Sequence, residues 1–386
     1  MANRGHGEGS IYQRSDGRWV ASISLEGRKR KTFYGKTRKE VQEKLRVALN
    51  EQKQGTLATG PQQTVKQYLE HWLEEVHKSS IRLSTYRPYR IMLDRHVFPA
   101  IGHIKLQKLT PQHIQTFYAH ELKSGLAPKS VRNMHGLLHK ALDNAVRWGL
   151  VARNVCDVVS LPRKIRYEIV PLTQEQAQKL LESAKGHALE GLLTLGVTTG
   201  MRLGELLALR WQDIDFESQN LHIQRSVGYI PHQGYIETEP KTAKSRRKVA
   251  LPLFVCEALK LHRTRQLERR LKIGADWRDR DLVFCNRNGD YLDPSHIRER
   301  FHKLLQGANL PNVRFHDLRH SAATLLLSMG IHPKVVQEIL GHSQISMTLD
   351  TYSHVLPSMQ EEAMKKLDDL FRHDNLDDAP GEVEQS

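Results

Sequence analysis

Two polar stretches limit the folds open to this 386-residue chain: QKQGTLATGPQQ (residues 52–63) and NVCDVVSLPRKIRYEIVPLT (154–173). Neither carries a sustained helical or strand period, and each contains proline, so both read as linkers. The chain is therefore expected to fold as separate units, each burying its own core: residues 1–58, 62–156 and 165–372, followed by an acidic, disordered tail at 373–386. An apolar content of 39% is enough for cores of this size.

The first unit reads as a small three-stranded sheet with one helix. In RWVASISLEG, Trp19, Ala21, Ile23 and Leu25 alternate with Val20, Ser22, Ser24 and Glu26, the period of a half-buried strand. GSIYQR and KRKTFYG flank it, joined through SDG and EGR turns. Thr37 and Glu40 form a capping box, and Val41, Leu45, Ala48 and Leu49 line one face of the helix that follows. Arg28, Lys29, Arg30 and Lys31 crowd the second turn. A basic sheet can enter a DNA major groove; a solvated hairpin tip is the plainer reading.

Four helical patterns follow. Val65, Tyr68, Leu69, Trp72 and Val76 share a stripe, and Ser84 to His96 forms a second helix. Thr110 and Pro111 cap a third, with Ile114, Phe117, Tyr118 and Leu122 on its apolar side, and residues 128–148 form a fourth. Charge says what such units serve. The formal net charge is +15, with +7 in residues 1–60, +9 in 61–164, +4 in 165–372 and −5 in the last 14. An excess gathered in the first 164 residues points to nucleic acid as the partner, not to solubility alone. Three isolated cysteines, Cys156, Cys256 and Cys285, fit a reducing compartment without disulfides. With no apolar run of membrane-spanning length and no signal segment in MANRGHGEGS, a cytoplasmic protein with no membrane partner is expected.

The third unit opens on another capping box, Thr173 to Gln176, and reads as mixed α+β. TTGMRLGELLALRWQDIDFE holds Arg202 and Glu205 at i, i+3 on a helix start; a buried arginine needs a partner, and Glu205 can orient it. LHIQRSVGYI and GYIETEPKTAKSRRKVALP read as strands, with Lys241 at the turn of the second hairpin. VRFHDLRHSAATLLLSMG places His316 and Arg319 on one helix face, and LGHSQISMTLDTYSHV adds His342 and Tyr352. Taken singly, these are a surface ion pair, a solvated basic loop and packed aromatics. The histidines of HDLRH lack a third ligand and the glutamate of HExxH, so no metal is expected. Tyr291, in NRNGDYLDPS, reads as a packed turn residue.

As a set, two arginines, a lysine, two histidines and a tyrosine in this order resemble the active site of the tyrosine recombinases, the phage-type integrases. TGMRLGELLALRWQDID, the KT of the hairpin, HDLRHSAAT and LGHSQISMTLDTYSH carry the resemblance. It is strongest over residues 165–371. The helical unit is similar to a core-binding domain, and the N-terminal sheet to an arm-site-binding domain. The resemblance implies a multidomain, mainly α fold with small sheets. It also implies a site-specific DNA recombinase that integrates or excises a phage or other mobile element, with viral genome integration as one form of the reaction. Tyr352 would displace the 5′ oxygen to leave a 3′-phosphotyrosine. Its partners would be double-stranded DNA attachment sites and three further copies of the chain, as a homotetramer on DNA. No cofactor is implied, and the need for a directionality factor or DNA-bending protein stays open.

The chemistry suits these residue types. Charge gathers on the non-bridging phosphate oxygens during attack. Arg202 and Arg319 offer permanently charged forks to them, and His342 can add a hydrogen bond. A phenol titrates near ~10 and is a poor nucleophile at neutral pH, so His316 is the expected base and Lys241 the expected acid for the 5′ oxygen. The covalent intermediate conserves bond energy without ATP or metal. After Tyr352, Met359, Ala363, Leu367, Leu370 and Phe371 share a helix side that the resemblance would dock on a neighbouring protomer. Two other classes remain: a type IB topoisomerase, which would relax plasmid without site preference, and a DNA-binding protein with no dependence on Tyr352.

Overall fold

The alternation in RWVASISLEG becomes the middle strand of a three-stranded antiparallel sheet in the computed structural model. The structure describes residues 9–24, 30–53, 62–164, 170–231, 233–239, 246–342, 344–345, 349, 364–365, 367–369 and 371. It divides into two compact units, Met1–Tyr167 and Glu168–Ser386.

In the first unit β1 (Ser10–Gln13), β2 (Trp19–Ser24) and β3 (Arg30–Gly35) lie in that order. Ala21 sits opposite Ile11 and Phe33. With Ile23 it packs against Val41 and Leu45 of α1 (Arg38–Lys53). Arg30 and Lys31 belong to β3, opposite Ser24 and Ile23, not to the turn where their sequence position placed them. Arg28 and Lys29 lie outside the described residues.

The helical part of this unit has its own core, built around fully buried Tyr68, Trp72 and Tyr118. α2 (Val65–His71) runs into a π-helical turn, Trp72–His77. The helix expected over Ser84–His96 is instead α3 (Leu83–Met92), a second π-turn at Leu93–Val97, and α4 (Phe98–Ile101). Phe98 donates its N–H to Leu93, five residues back. The next residue, Pro99, has no N–H with which to continue the ordinary ladder. α5 (Pro111–Lys123) starts at Thr110, whose side chain accepts from His113, and α6 (Pro128–Arg147) buries Val131, Leu138 and Leu142.

The second unit opens on α7 (Gln174–Ser183), where Gln176 N donates to Thr173 Oγ1 at 3.2 Å and Thr173 N to Gln176 Oε1 at 3.0 Å. α8 (Glu190–Thr199) is buried on nearly every side, the mark of a central helix. α9 (Leu203–Leu207) follows at once, then β4 (Ile214–Asp215), β5 (Asn220–Ile223), β6 (Ser226–Ile230), β7 (Gly234–Thr238) and β8 (Arg247–Ala250). The strands expected to form the second hairpin do not pair. β7 pairs with β6, while β8 crosses to β5 in the order β4-β5-β8. Leu221 and Ile223 of β5 offer a buried apolar face, and Val249 of β8 sits directly opposite Leu221. α10 (Leu253–Ile273), α11 (Pro294–Gly307), α12 (Asp317–Ser328) and α13 (Pro333–Leu340) complete the unit. Tyr291 is buried, and its hydroxyl donates to Glu237, a structural contact as its sequence context suggested.

Candidate functional site

Gly200 sets the site's geometry. It ends α8 at φ +62°, a left-handed conformation that turns the chain straight into α9. Arg202 then stands at the N-cap of α9. Its N–H reaches Glu205 Oε2 at 3.1 Å and its Nη1 reaches Oε1 at 2.7 Å. The carboxylate is the buried partner, 3% exposed, whereas the Arg202 side chain is 36% exposed. So the arginine that the sequence reading took as buried reaches solvent, and the group that aims it does not.

Glu205 also receives Arg247 Nη2 at 3.0 Å, from the first residue of β8. Burial would raise the Glu205 carboxyl, but Arg247 and Arg202 outweigh it and hold it below the usual range. Arg247 in turn donates Nε to the Ile339 carbonyl, at 2.6 Å, in the last turn of α13. Gly341, at φ +68°, caps that helix and leads directly into His342.

α12 supplies the other side. Asp317 in its first turn takes Arg314 Nε at 3.0 Å and Nη2 at 2.8 Å, which fixes the entry to the helix at His316. Arg319 is buried. Its Nη1 donates to the Gly200 carbonyl at 2.9 Å and its Nε to His342 Nε2 at 3.2 Å. Its Nη2 has no hydrogen-bond partner among the described residues. Burial, then the neighbouring Arg202 and Arg247, bring the Arg319 guanidinium down to about 9, still charged at neutral pH. Burial and the Arg319 charge lower His342 to about 3, so its imidazole is neutral. A neutral ring that accepts through Nε2 carries its proton on Nδ1. Burial, followed by Arg319, lowers His316 as well, leaving it an unprotonated base at pH 7.

Of the residues singled out in the sequence, the structure joins Arg202, Glu205, Arg319 and His342 in one bonded set. His316 lies within the electrostatic reach of both arginines. Lys241 and Tyr352 lie outside the described residues, as do Met359, Ala363 and Leu370. Arg30 and Lys31 belong to the other unit. Sequence reasoning missed Arg247, Gly200 and Gly341. Arg247 had a signal: it shares the strand phase of Val249 and Leu251, both buried. Among the described residues, only His139, Asp143 and Asp157 come together as three potential metal ligands. Both imidazole nitrogens there face carboxylates, at 3.3 and 2.9 Å, a polar cluster satisfied internally.

The fold is that of known DNA integrases. The Tn1549 transposon integrase, solved in complex with a circular intermediate DNA, superposes with a TM-score of 0.68 at 22% identity over 79% of this chain and 99% of that one. Residues 171–359 match the model of the phage integrase family, and residues 64–122 that of the phage integrase N-terminal SAM-like domain. A tyrosine recombinase XerC-like protein of Caldanaerobacter subterraneus subsp. tengcongensis is 34% identical over 360 residues, 89% of this chain and 92% of its own length. The ICEBs1 integrase of Bacillus subtilis is 29% identical over 292 residues, covering 74% and 78%. The chain belongs to the phage integrase family of tyrosine recombinases. It is a site-specific DNA recombinase that cuts and rejoins strands through a 3′-phosphotyrosine, integrating or excising a mobile element. Among the described residues no helix is long and apolar enough to cross a membrane.

Proposed function

We propose that Arg202, Arg319 and His342 hold the scissile phosphate while Tyr352 attacks it, with His316 as base for the phenol and Lys241 as acid for the departing 5′ oxygen. One observation carries this reading: the bonded set ties Arg202 to Glu205 and Arg319 to both His342 and the Gly200 carbonyl, with one buried guanidinium nitrogen left over. Planar, charged guanidinium forks match the oxygen geometry of a phosphate. His316, held unprotonated by its surroundings, can take the tyrosine proton at neutral pH. Bond cleavage at phosphorus forms the Tyr352 ester and releases the 5′ oxygen, which leaves as a hydroxyl with the Lys241 proton.

The wider reading has the recombinase acting as a homotetramer on paired attachment sites. Arg28, Lys29, Arg30 and Lys31 would be its DNA contacts near the N-terminus. The basic first 164 residues supply the sequence-independent part of affinity, which falls steeply with salt. The test is to incubate the chain with a pool of randomised DNA duplexes and resolve covalent adducts on a denaturing gel. Wild type is expected to yield an adduct enriched in particular sequences, and Tyr352→Phe none. An adduct that persists in Tyr352→Phe, or one without sequence enrichment, would refute the reading.

A further inference from the structure

The interactions described above close into a ring. Gly200 and Arg202 share one loop. Arg202 binds Glu205, Glu205 binds Arg247, and Arg247 binds the Ile339 carbonyl. Three residues on, His342 accepts from Arg319, and Arg319 returns to the Gly200 carbonyl. Within this circuit Arg319 and Arg247 both join the α8–α9 segment to the end of α13, and Arg247 is the one of the two given no contact with the phosphate. Its side chain is 6% exposed, so the fork is turned inward to protein groups. The space around it is tight. A Cβ built on Gly341 would fall 2.9 Å from Arg247 Nη1 and 3.0 Å from its Cδ.

We infer that Arg247 is a positioning residue for strand cleavage: its guanidinium ties the carboxylate that aims Arg202 to the helix end that presents His342, so that both arms of the phosphate site keep one spacing. Several observations separate this role from simple core packing. Arg247 stands where a strand of this phase would ordinarily place an apolar residue, since Val249 and Leu251 beyond it are buried. Removing it would also leave Glu205 buried with Arg202 as its one remaining cationic partner in the ring. Then only Arg319 still ties the α9 start to the α13 end, and a misplacement of about 1 Å in such a constellation costs roughly 10²-fold in rate. A lysine keeps the charge opposite Glu205 but lacks the rigid fork that meets both Glu205 and Ile339.

This inference rests on the phosphate-site reading above, and the experiment separates the two. Wild type, Tyr352→Phe, Arg247→Lys and Arg247→Met, all as full chains, are mixed at saturating protein with labelled duplexes recovered from the wild-type adduct. Single-turnover traces give a rate constant and an amplitude, and a filter assay gives DNA affinity. Arg247→Met is expected to lower the rate constant by about 10²-fold at undiminished amplitude and affinity. Arg247→Lys should recover part of that loss. A wild-type rate constant in Arg247→Met overturns the assignment. So does a loss confined to amplitude or affinity, or failure of both variants to fold, because each makes Arg247 a packing residue only. If wild type itself gives no Tyr352-dependent adduct, the phosphate-site reading fails and takes this inference with it.

Discussion

Replacing Gly200 with alanine tests whether the loop between α8 and α9 holds the site together. Gly200 sits at φ +62°, and an added Cβ would lie 2.3 Å from Leu340 Cδ2 and 3.3 Å from Ala322 Cβ. The left-handed conformation costs an alanine about 1–2 kcal/mol. Leu340 is fully buried, so displacing it adds overpacking of about 1–3 kcal/mol. The expected loss is about 2–5 kcal/mol, which for a unit of this size lowers the melting midpoint by roughly 4–20 °C. The same shift would move the carbonyl that receives Arg319 Nη1 and the helix end that leads to His342. Cleavage should therefore fall further than the folded fraction does. Gly307→Ala is the control. Gly307 closes α11 with nothing within 4 Å of an added Cβ, so alanine there should stabilise by about 0.5–1 kcal/mol. Calorimetry of the full chain reads both. Should Gly200→Ala melt with wild type, or lose stability while cleaving at the wild-type rate, the reasoning about this loop is wrong.

Glu205→Gln should be costly, because it leaves Arg247 buried without its counter-charge; urea denaturation is expected to show a loss of about 3–5 kcal/mol, and an unchanged midpoint would count against the ring. Stability should fall with acid in two windows. The unfolded chain protonates its histidines below 6.5 whereas folded His342 stays neutral until about 3, so stability drops as pH falls from 6.5 toward 3, and His342→Gln should flatten that drop. Glu205, held below its ordinary 4.5, contributes stability that is whole above 4.5 and is lost as pH falls through its lowered pKa. Lys241→Ala should slow cleavage by about 10²–10⁴-fold on ordinary DNA and recover most of the rate on duplexes whose 5′ bridging oxygen is sulfur, because a thiolate leaves without a proton; equal defects on both substrates would remove Lys241 as the acid.

How much of this was legible in the sequence depended on the range of each interaction. Arg202 with Glu205 and the capping box at Thr173 are three-residue relations, and three residues is a helix period, so the chain displays them openly. The Arg319 bond to Gly200 spans 119 residues, and the Arg247 bond to Ile339 spans 92. No periodicity reports a polar contact at such distance. Arg247 was half-legible, since its phase with Val249 and Leu251 marks an inward position. Its membership of a run of basic residues argued for a solvated loop and hid that. The misread hairpin has a related cause. Adjacency in sequence favours pairing of β7 with β8, but the apolar face of β5 decides where β8 goes, and that match appears only once the strands are placed. The π-turn at Leu93–Val97 was missed because it turns on backbone bonding, which side-chain stripes do not record.

Under the proposed assignment of the site, the charge balance of the ring bears on catalysis itself. Glu205 is the one carboxylate of the ring, bonded to Arg202 and Arg247 and acting on the third guanidinium, Arg319, only through space, and His342 adds no charge at neutral pH. The linked set therefore carries a net charge of about +2, since arginine stays protonated. Burial first, and then the neighbouring Arg202 and Arg247, disfavour the charged form of Arg319 in the free protein. A phosphodiester in DNA brings a single negative charge and offsets part of that effect. As the phenolate adds to phosphorus, the non-bridging oxygens approach a double negative charge. A site with two unmatched positive charges gains more from that species than from the ground state. Its preference therefore grows along the reaction coordinate, and interactions that strengthen in this way raise the rate instead of merely tightening DNA binding.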